Sequence, residues 1–199
     1  VMFGGARIPS PERRGEAATR TLGELSHFYE EARKFARLVG AESVRRAGRE
    51  FVVCTGGGPG VMEAGSLGAS EAGAQTIGLG IVLPREEAPN PYVTPELSFN
   101  FHYFAIRKMH FLMRARAIAV FPGGFGTLDE LFETLTLIQT QRMEPVPVLL
   151  FGLAFMLPHE ESAARAVITE LVPGAPAAEA GLLAGDVIYE IGGRDVKNV

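Results

Sequence analysis

Two glycine-rich segments are the part of this chain most suited to chemistry, because each follows a short apolar run and precedes a helical pattern. The first is Thr55-Gly56-Gly57-Gly58-Pro59-Gly60, and the second is Pro122-Gly123-Gly124-Phe125-Gly126-Thr127. Where a strand runs into a helix, backbone N–H groups and the positive end of the helix dipole point outward at an anion. Glycine there lets a phosphate approach closely. One such cluster could be a tight turn only, but two at equivalent junctions favour phosphate binding.

Neither segment has the pattern of a standard nucleotide motif. Glu63 stands where a dinucleotide fingerprint has its third glycine, and no lysine of the Walker type follows either segment. These differences argue against a dinucleotide and against ATP hydrolysis of the P-loop type. A mononucleotide or a sugar phosphate is the ligand that the sequence favours.

Glu130 is the strongest candidate for an acid–base group, because it follows Thr127 by three residues in the first turn of the helix predicted there. The same spacing is that of a capping box, in which the glutamate only caps the helix. Spacing alone does not decide between the two roles. Arg107 lies in a helical pattern that leads into the strand before the second glycine segment. It is a candidate for the same site, but it could also be an ordinary solvated arginine.

Charge and composition exclude several function classes. Lys+Arg is 19 and Asp+Glu is 23, a net charge of −4 that gives no overall attraction to nucleic acid or to anionic membranes. Cys54 is the single cysteine, so no internal disulfide can form. The four histidines do not have the spacing of a metal site. Apolar runs are shorter than the roughly 20 residues of a membrane helix. We expect a cytoplasmic protein with no metal and no cofactor.

Short apolar runs alternate with helical patterns along the first 150 or so residues. Strands are predicted at 1–3, 50–54, 76–81, 118–121 and 146–151, and helices at 23–39, 61–72, 103–115 and 128–138. Residues 9–23 and 84–95 are predicted to be loops. This alternation is typical of βαβ units in a parallel sheet with helices on both faces, a Rossmann-like α/β fold. Both glycine segments would then lie at the carboxyl edge of the sheet, where ligands bind.

The motifs also resemble those of a known family. Pro122-Gly123-Gly124-Phe125-Gly126-Thr127-Leu128-Asp129-Glu130 matches the PGGxGTxxE signature of the LOG family, long labelled "lysine decarboxylase-like". The segment from Thr55 to Ala64 is similar to the family's other glycine loop, and Arg107-Lys108 to its Arg-Lys pair. The resemblance covers about residues 1–152 and indicates a nucleotide-binding domain at 1–155.

The resemblance implies hydrolysis of the N-glycosidic bond of a nucleoside 5'-monophosphate, such as AMP or a cytokinin riboside monophosphate, to free base and ribose 5-phosphate. Glu130 would act on the ribose and its attacking water, and Arg107 would position the substrate. The implied substrate-binding residues are Thr55, Gly56, Gly57, Gly58, Gly60, Met62, Glu63, Lys108, Pro122, Gly123, Gly124, Gly126 and Thr127. A homodimer or higher homo-oligomer is also implied. The alternative is a non-catalytic binder of a phosphorylated ligand, such as the family's molybdenum-cofactor carriers.

The C-terminal part has a different pattern. Residues 166–199 include the run Val167-Ile168-Thr169-Glu170-Leu171-Val172-Pro173-Gly174 and resemble the core of a bacterial PDZ domain. Such a domain binds peptide C-termini between a strand edge and a helix. Since a fragment this short buries little apolar surface, we expect a partial, β-rich segment with no peptide groove and no catalytic group. The boundary is predicted near 153–165.

Overall fold

The computed structural model describes residues 1–82 and 88–152, together with the pairs 166–167, 187–188, 190–191 and 194–195. The strands of the main part are β1 (Met2–Phe3), β2 (Val53–Thr55), β3 (Thr76–Ile81), β4 (Ser98–Phe101), β5 (Ile118–Val120) and β6 (Val148–Leu150). The helices are α1 (Arg20–Glu24), α2 (His27–Arg45), α3 (Val61–Glu71), α4 (Phe104–Leu112) and α5 (Phe125–Gln139). Two short 3₁₀ helices span Pro11–Glu16 and Pro95–Leu97.

The strands form two parallel ladders, β1-β5-β6 and β2-β3-β4. Met2 pairs with Ala119 and Ile118 with Val148 in the first ladder, and Val53 pairs with Thr76 in the second. Strand β1 lies against β2, so the spatial order is β4-β3-β2-β1-β5-β6. The chain moves outward from β1 to β4 and then returns to β5. The winding therefore reverses between β1 and β5, which is where an open α/β sheet binds its ligand.

Alternating side chains of the strands divide the core into two layers. Met2 and Val53 pack on one face of the sheet with residues of α2 and α3. Phe3 and Cys54, the next residues along the same strands, pack on the other face with residues of α4 and α5. Successive strand residues point to opposite faces, so short, continuously apolar strands need helices on both sides. The predicted α/β fold with a parallel sheet covered on both faces is confirmed.

Helices α2 and α3 pack closely through small residues. A Cβ on Gly68 would collide with the backbone of Arg33, and a Cβ on Gly40 would stand 3.0 Å from the Cα of Ala69. Ala32, Ala36 and Ala69 are fully buried in the same layer. The glycines and alanines are therefore needed for this short distance between the helix axes.

Several local predictions are corrected by the structure. The predicted loop at 9–23 contains a 3₁₀ helix and most of α1, and the edge strand β4 has no counterpart among the predicted strands. The predicted helix at 103–115 ends at Leu112. Helix α3 spans Val61–Glu71 and is followed by Gly73 with a φ of +75°, as the predicted glycine stop requires. Residues 83–87 of the predicted loop at 84–95 lie outside the described residues.

The C-terminal part is described at four two-residue strands. Ala166–Val167 (β7) pairs antiparallel with Val187–Ile188 (β8), and Glu190–Ile191 (β9) pairs antiparallel with Arg194–Asp195 (β10). The rest of the predicted segment at 166–199, and the predicted boundary at 153–165, lie outside the described residues. In the part of the chain that the structure describes, no helix is both long and apolar enough to cross a membrane.

The loop after β1 connects both glycine segments. The Gly5 N–H donates to the carbonyl of Pro122 at 2.9 Å, and the Gly5 carbonyl accepts from the Val61 N–H at 3.2 Å. Gly60 has a φ of +68°, and a Cβ there would stand 2.7 Å from the carbonyl carbon of Ala6. Gly60 is thus required both by its backbone conformation and by the close approach of the β1 loop.

We predict that Gly60→Ala lowers the free energy of unfolding by roughly 2–6 kcal/mol, since backbone strain and overpacking each cost about 1–3 kcal/mol. Gly15→Ala is the control, because a Cβ on Gly15 meets nothing within 4 Å and should change the unfolding free energy by at most about 0.5 kcal/mol. Urea unfolding of the two variants measures both values. Equal stability of the two variants would contradict the close packing at Gly60.

Candidate active site

A cavity of about 530 Å³ opens at the carboxyl ends of β1 and β5. Its walls come from the loop after β1, the two glycine segments, and the helices α1, α3, α4 and α5. The polar and glycine residues of its lining are Gly4, Gly5, Arg7, Gly56, Arg107, Gly123, Gly124, Gly126, Thr127 and Glu130. Apolar side chains complete it, among them Ile8, Leu22, Leu25, Met62 and Phe111. The cavity therefore lies at the point where the winding of the sheet reverses.

The second glycine segment presents the start of α5 to this cavity. Gly124 is the N-cap residue, and its carbonyl accepts from the N–H groups of Thr127 at 3.0 Å and Leu128 at 3.2 Å. The N–H groups of Gly124, Phe125 and Gly126 precede any acceptor that the helix can provide. These three donors and the helix dipole form a site suited to an anion.

The capping-box interpretation of Glu130 is wrong. Helix α5 begins at Phe125, so Thr127 is its third residue and not its N-cap. Glu130 is then the sixth residue of the helix, beyond the first turn, where no backbone N–H is left for its side chain to cap. Its burial needs another explanation.

Glu130 is a buried carboxyl group at the wall of the cavity. The residue is 5% exposed, its Oε1 is 3.7 Å from Nη2 of Arg107, and its buried Oε2 has no hydrogen-bond partner. Burial raises the pKa of Glu130 to about 7; the positive charges of Lys108 and Arg107 oppose this rise. A carboxyl group with this pKa exchanges a proton readily at neutral pH, as a general acid–base group requires.

Arg107 is held beside Glu130 by aromatic rings. Its guanidinium carbon lies 5.4 Å from the ring centre of Phe104 and 5.6 Å from that of Phe111. These are cation–π distances, and they fix a side chain that is only 17% exposed. The structure thus brings together Arg107 and Glu130, the two predicted catalytic residues.

Lys108 occupies a different position from its neighbour. Its Nζ lies 2.6 Å from a carboxylate oxygen of Asp129 and 2.9 Å from one of Glu133, both on α5. It is not among the residues that line the cavity. Lys108 therefore joins α4 to α5, and in this structure it does not face the position predicted for a substrate.

Only part of the first glycine segment and of the helix after it lines the cavity. Gly56 and Met62 line the cavity, whereas Thr55, Gly57, Gly58 and Gly60 lie behind them. Thr55 is fully buried, and its Oγ1 accepts from the Gly57 N–H at 3.0 Å. Gly57 has a φ of +73°, a conformation that glycine adopts without strain. These four residues shape the segment without reaching the cavity.

Asn90 is a further residue that holds this segment and that sequence analysis missed. Its side-chain amide donates to the carbonyls of Gly57 and Gly58, at 3.0 Å each, and its Oδ1 accepts from the Tyr92 N–H at 3.2 Å. Asn90 is buried. An asparagine before a proline is a turn signal, but only the folded chain shows what its amide binds.

Glu63 lies away from the cavity as well. It accepts a hydrogen bond of 2.8 Å from the Tyr29 hydroxyl and lies 3.5 Å from the Arg13 guanidinium. Burial and the bond to Glu63 raise the pKa of Tyr29 well above its usual range. Glu63 thus links α3 to α2 and to the 3₁₀ helix at Pro11–Glu16.

Residues of the β1 loop are cavity residues that the sequence did not single out as functional. Gly4, Gly5 and Arg7 line the cavity beside Pro122 and Gly123. The Gly4-Gly5 pair directly after a strand is the signal that the sequence offers, and it is equally typical of a tight turn. In the described part of the chain, no group of three or more His, Cys, Asp or Glu side chains is placed to hold a metal ion.

Two family profiles match the chain. The family described as "Possible lysine decarboxylase" matches residues 62–160, and the one described as "PDZ domain" matches residues 167–199. The first range contains Arg107 and Glu130, and the second agrees with the PDZ resemblance of the C-terminal residues. Both matches support the family resemblances found in the sequence.

Curated relatives carry the name of a nucleosidase. The pyrimidine/purine nucleotide 5'-monophosphate nucleosidase of Escherichia coli strain K12 is 33% identical in an alignment of 119 residues that covers 52% of this chain and 25% of that protein. The proteins of the same name from the O6:H1 and O157:H7 strains match equally. The chain thus spans about a quarter of the length of the curated relatives that it matches.

A solved structure has a fold similar to that of this chain. The molybdenum cofactor binding protein from the phototrophic bacterium Rippkaea orientalis has a TM-score of 0.51 with this chain, over 75% of this chain and 74% of that one. The sequence identity is 21%, so the likeness concerns the fold alone. Together the comparisons support an α/β domain that is similar, over residues 62–160, to the lysine decarboxylase-like proteins.

The raised pKa of Glu130 predicts a specific pH dependence of stability. The carboxyl group has a pKa of about 7 in the folded chain against 4.5 for an ordinary glutamate. Between these values the folded protein binds more protons than the unfolded chain, so the free energy of unfolding falls as pH rises from about 4.5 to 7. The contribution is on the order of 2–3 kcal/mol.

Urea unfolding at pH 5 and pH 7.5 measures this contribution. Glu130→Gln should lose less stability over that interval than the wild type, because glutamine does not titrate. Glu16→Gln, at an exposed position of the first 3₁₀ helix, should follow the wild type. The same pH dependence in Glu130→Gln and in the wild type would contradict a strongly perturbed Glu130.

Proposed function

We propose that this chain is a LOG-family phosphoribohydrolase, which hydrolyses the N-glycosidic bond of a nucleoside 5'-monophosphate to free base and ribose 5-phosphate. The observation that carries the proposal is the Glu130 carboxyl group. It is buried at the cavity wall beside Arg107, and its Oε2 is left without a partner. The nucleosidase name of the Escherichia coli relatives supports the same chemistry.

The phosphate is proposed to bind at the start of α5. The free N–H groups of Gly124, Phe125 and Gly126 lie there with the positive end of the helix dipole. Gly123 is needed beneath them, since a Cβ would stand 2.7 Å from the Cβ of Thr127. Binding energy from the phosphate then orients the sugar at a distance from the bond that breaks.

Glu130 is proposed to act on the ribose and on the attacking water. As the bond between C1' and the base nitrogen breaks, its electron pair leaves with the base and positive charge develops on the ribose. The ionised carboxylate stabilises that charge and accepts a proton from the water that attacks C1'. With a pKa of about 7, Glu130 can take up this proton and release it at neutral pH.

The non-catalytic alternative has less support. A carrier of a phosphorylated ligand gains nothing from a buried carboxyl group beside its anion site, because two negative charges repel. A hydrolase needs that group at the moment when the sugar becomes positive. The likeness to the molybdenum cofactor binding protein shows the fold alone, so it does not favour the carrier.

The matching family is described as a possible lysine decarboxylase, but the described lysines do not support Schiff-base chemistry. In the part of the chain that the structure describes, Lys34 pairs with Glu31 at 2.9 Å and Lys108 pairs with Asp129 and Glu133. Burial lowers the pKa of Lys108, but its hydrogen bonds to Asp129 and Glu133 outweigh this effect and raise the pKa above the ordinary value; a protonated ammonium group is a poor nucleophile for a carbonyl carbon. We therefore propose no Schiff-base chemistry for this cavity.

A homodimer is proposed from the exposed apolar side chains of α4, of its two capping residues and of α5; α4 and α5 carry Arg107 and Glu130. These residues are Tyr103, Phe104, Met109, Met113, Phe125, Leu128 and Phe132, all at least 43% exposed. Large exposed apolar side chains on two neighbouring helices often mark an interaction site. Because these side chains adjoin the cavity and the family resemblance implies an oligomer, a second copy of this chain is the proposed occupant.

We expect Glu130→Gln to abolish base release from AMP while nucleotide binding survives. Glutamine has nearly the same shape but can neither stabilise the positive sugar nor accept the proton, so the rate should fall by at least ~10²-fold. Arg107→Lys should restore little of the activity lost in Arg107→Ala, because lysine lacks the planar fork of donors. Turnover of AMP and nucleotide binding are measured for each variant. Normal turnover by folded Glu130→Gln would remove the central residue of the proposal.

The dimer is tested at Phe132, which is 61% exposed on α5. We expect light scattering to give twice the 21.3 kDa chain mass for the wild type and the single mass for Phe132→Glu. Leu38→Glu is the matched control, since Leu38 is 71% exposed on α2 and should leave the dimer intact. A monomeric wild type, or a dimeric Phe132→Glu variant, would contradict the proposed interface.

A further inference from the structure

The charges of the cavity do not balance, and the excess is positive. Its ionisable lining residues are Arg7, Arg107 and Glu130. Arg107 is paired with Glu130. Arg7 has no carboxylate within ion-pair distance among the described residues, whose ion pairs include none to Arg7. One guanidinium group therefore faces the cavity without an internal counter-charge.

The backbone that carries Arg7 is fixed on both sides. Gly5 is hydrogen-bonded to Pro122 and to Val61, and Ile8 is buried at 2% exposure. The side chain of Arg7, in contrast, is exposed. An exposed cationic side chain on a fixed loop can bind a ligand at low cost in backbone entropy.

We propose that Arg7 is the side-chain cation that binds the 5'-phosphate together with the first turn of α5, which lines the same cavity; this inference rests on the proposed function. A phosphate monoester carries about −1.5 to −2 charges at neutral pH. A helix N-terminus offers only about half a positive charge. The Glu130 carboxylate adds negative charge when ionised, and the positive charge of Arg107 lies 3.7 Å from it. A further cation is therefore needed to balance the phosphate.

Arg7 is also the suitable residue type for this task. A guanidinium group binds two phosphate oxygens at once, in a planar geometry that the ammonium group of lysine does not reproduce. Since Arg7 would bind a part of the substrate that does not react, its removal should weaken binding and leave the chemical step nearly unchanged. This effect differs from that expected for Arg107, which adjoins the reacting sugar.

The test compares Arg7→Gln and Arg7→Lys with Arg37→Gln, which changes an exposed arginine of α2 outside the cavity. Calorimetry with inorganic phosphate and with ribose 5-phosphate measures binding without any reaction. We expect Arg7→Gln to bind both ligands about tenfold more weakly or worse. We expect Arg7→Lys to lie in between and Arg37→Gln to match the wild type. With AMP, KM of Arg7→Gln should rise about tenfold while kcat stays within about threefold.

The outcomes separate this inference from the proposed function. Equal binding of ribose 5-phosphate by Arg7→Gln and Arg37→Gln would overturn the role of Arg7, even if AMP is hydrolysed. A wild type that binds neither phosphate ligand would overturn it as well. Binding that depends on Arg7 without base release from any nucleotide would retain the phosphate site and reject the hydrolase. Melting temperatures of all variants establish that each is folded, and Arg7→Lys remains informative if Arg7→Gln is unstable.

Discussion

The geometry of the cavity depends on the backbone of Gly5. Its N–H binds the carbonyl of Pro122 and its carbonyl binds the N–H of Val61, so one residue joins the loop after β1 to both glycine segments. These bonds require close approach, and glycine at positions 4 and 60 permits it because side chains there would collide with Val61 and Ala6. Much of the glycine in these segments therefore serves contacts between loops, and only part of it serves a ligand.

The second determinant of the site is the contact between α4 and α5. Lys108 ties the two helices together through Asp129 and Glu133, while Arg107, one residue earlier, faces Glu130. Of these two adjacent residues of α4, Lys108 holds the helices together and Arg107 lines the cavity. Burial of Glu130 between them raises the pKa of Glu130, and this single charged group is what distinguishes the proposed hydrolase from a passive anion site.

The sequence predicted the α/β layers because residues such as Met2 and Phe3 are apolar on both faces of a short strand. It missed β4 (Ser98–Phe101), whose half-exposed edge position leaves no continuous apolar run. It also left the role of Glu130 open, since Thr127 has the spacing of a cap while the actual N-cap, Gly124, has no side chain to reveal it. Lys108 is placed by carboxylates of α5, and the loop that carries Arg7 is placed by bonds to Pro122 and Val61; no local pattern encodes contacts between residues so distant in the chain.

Product analysis in ¹⁸O-labelled water tests the central claim most directly. If Glu130 directs water to C1' of a bound nucleotide, AMP will yield free adenine and ribose 5-phosphate with one ¹⁸O atom at C1, and no label in the phosphate. Mass spectrometry of the products distinguishes this route from attack at phosphorus. Adenosine with labelled inorganic phosphate, or AMP recovered unchanged from a folded wild-type protein that binds it, would contradict the proposed glycosidic cleavage.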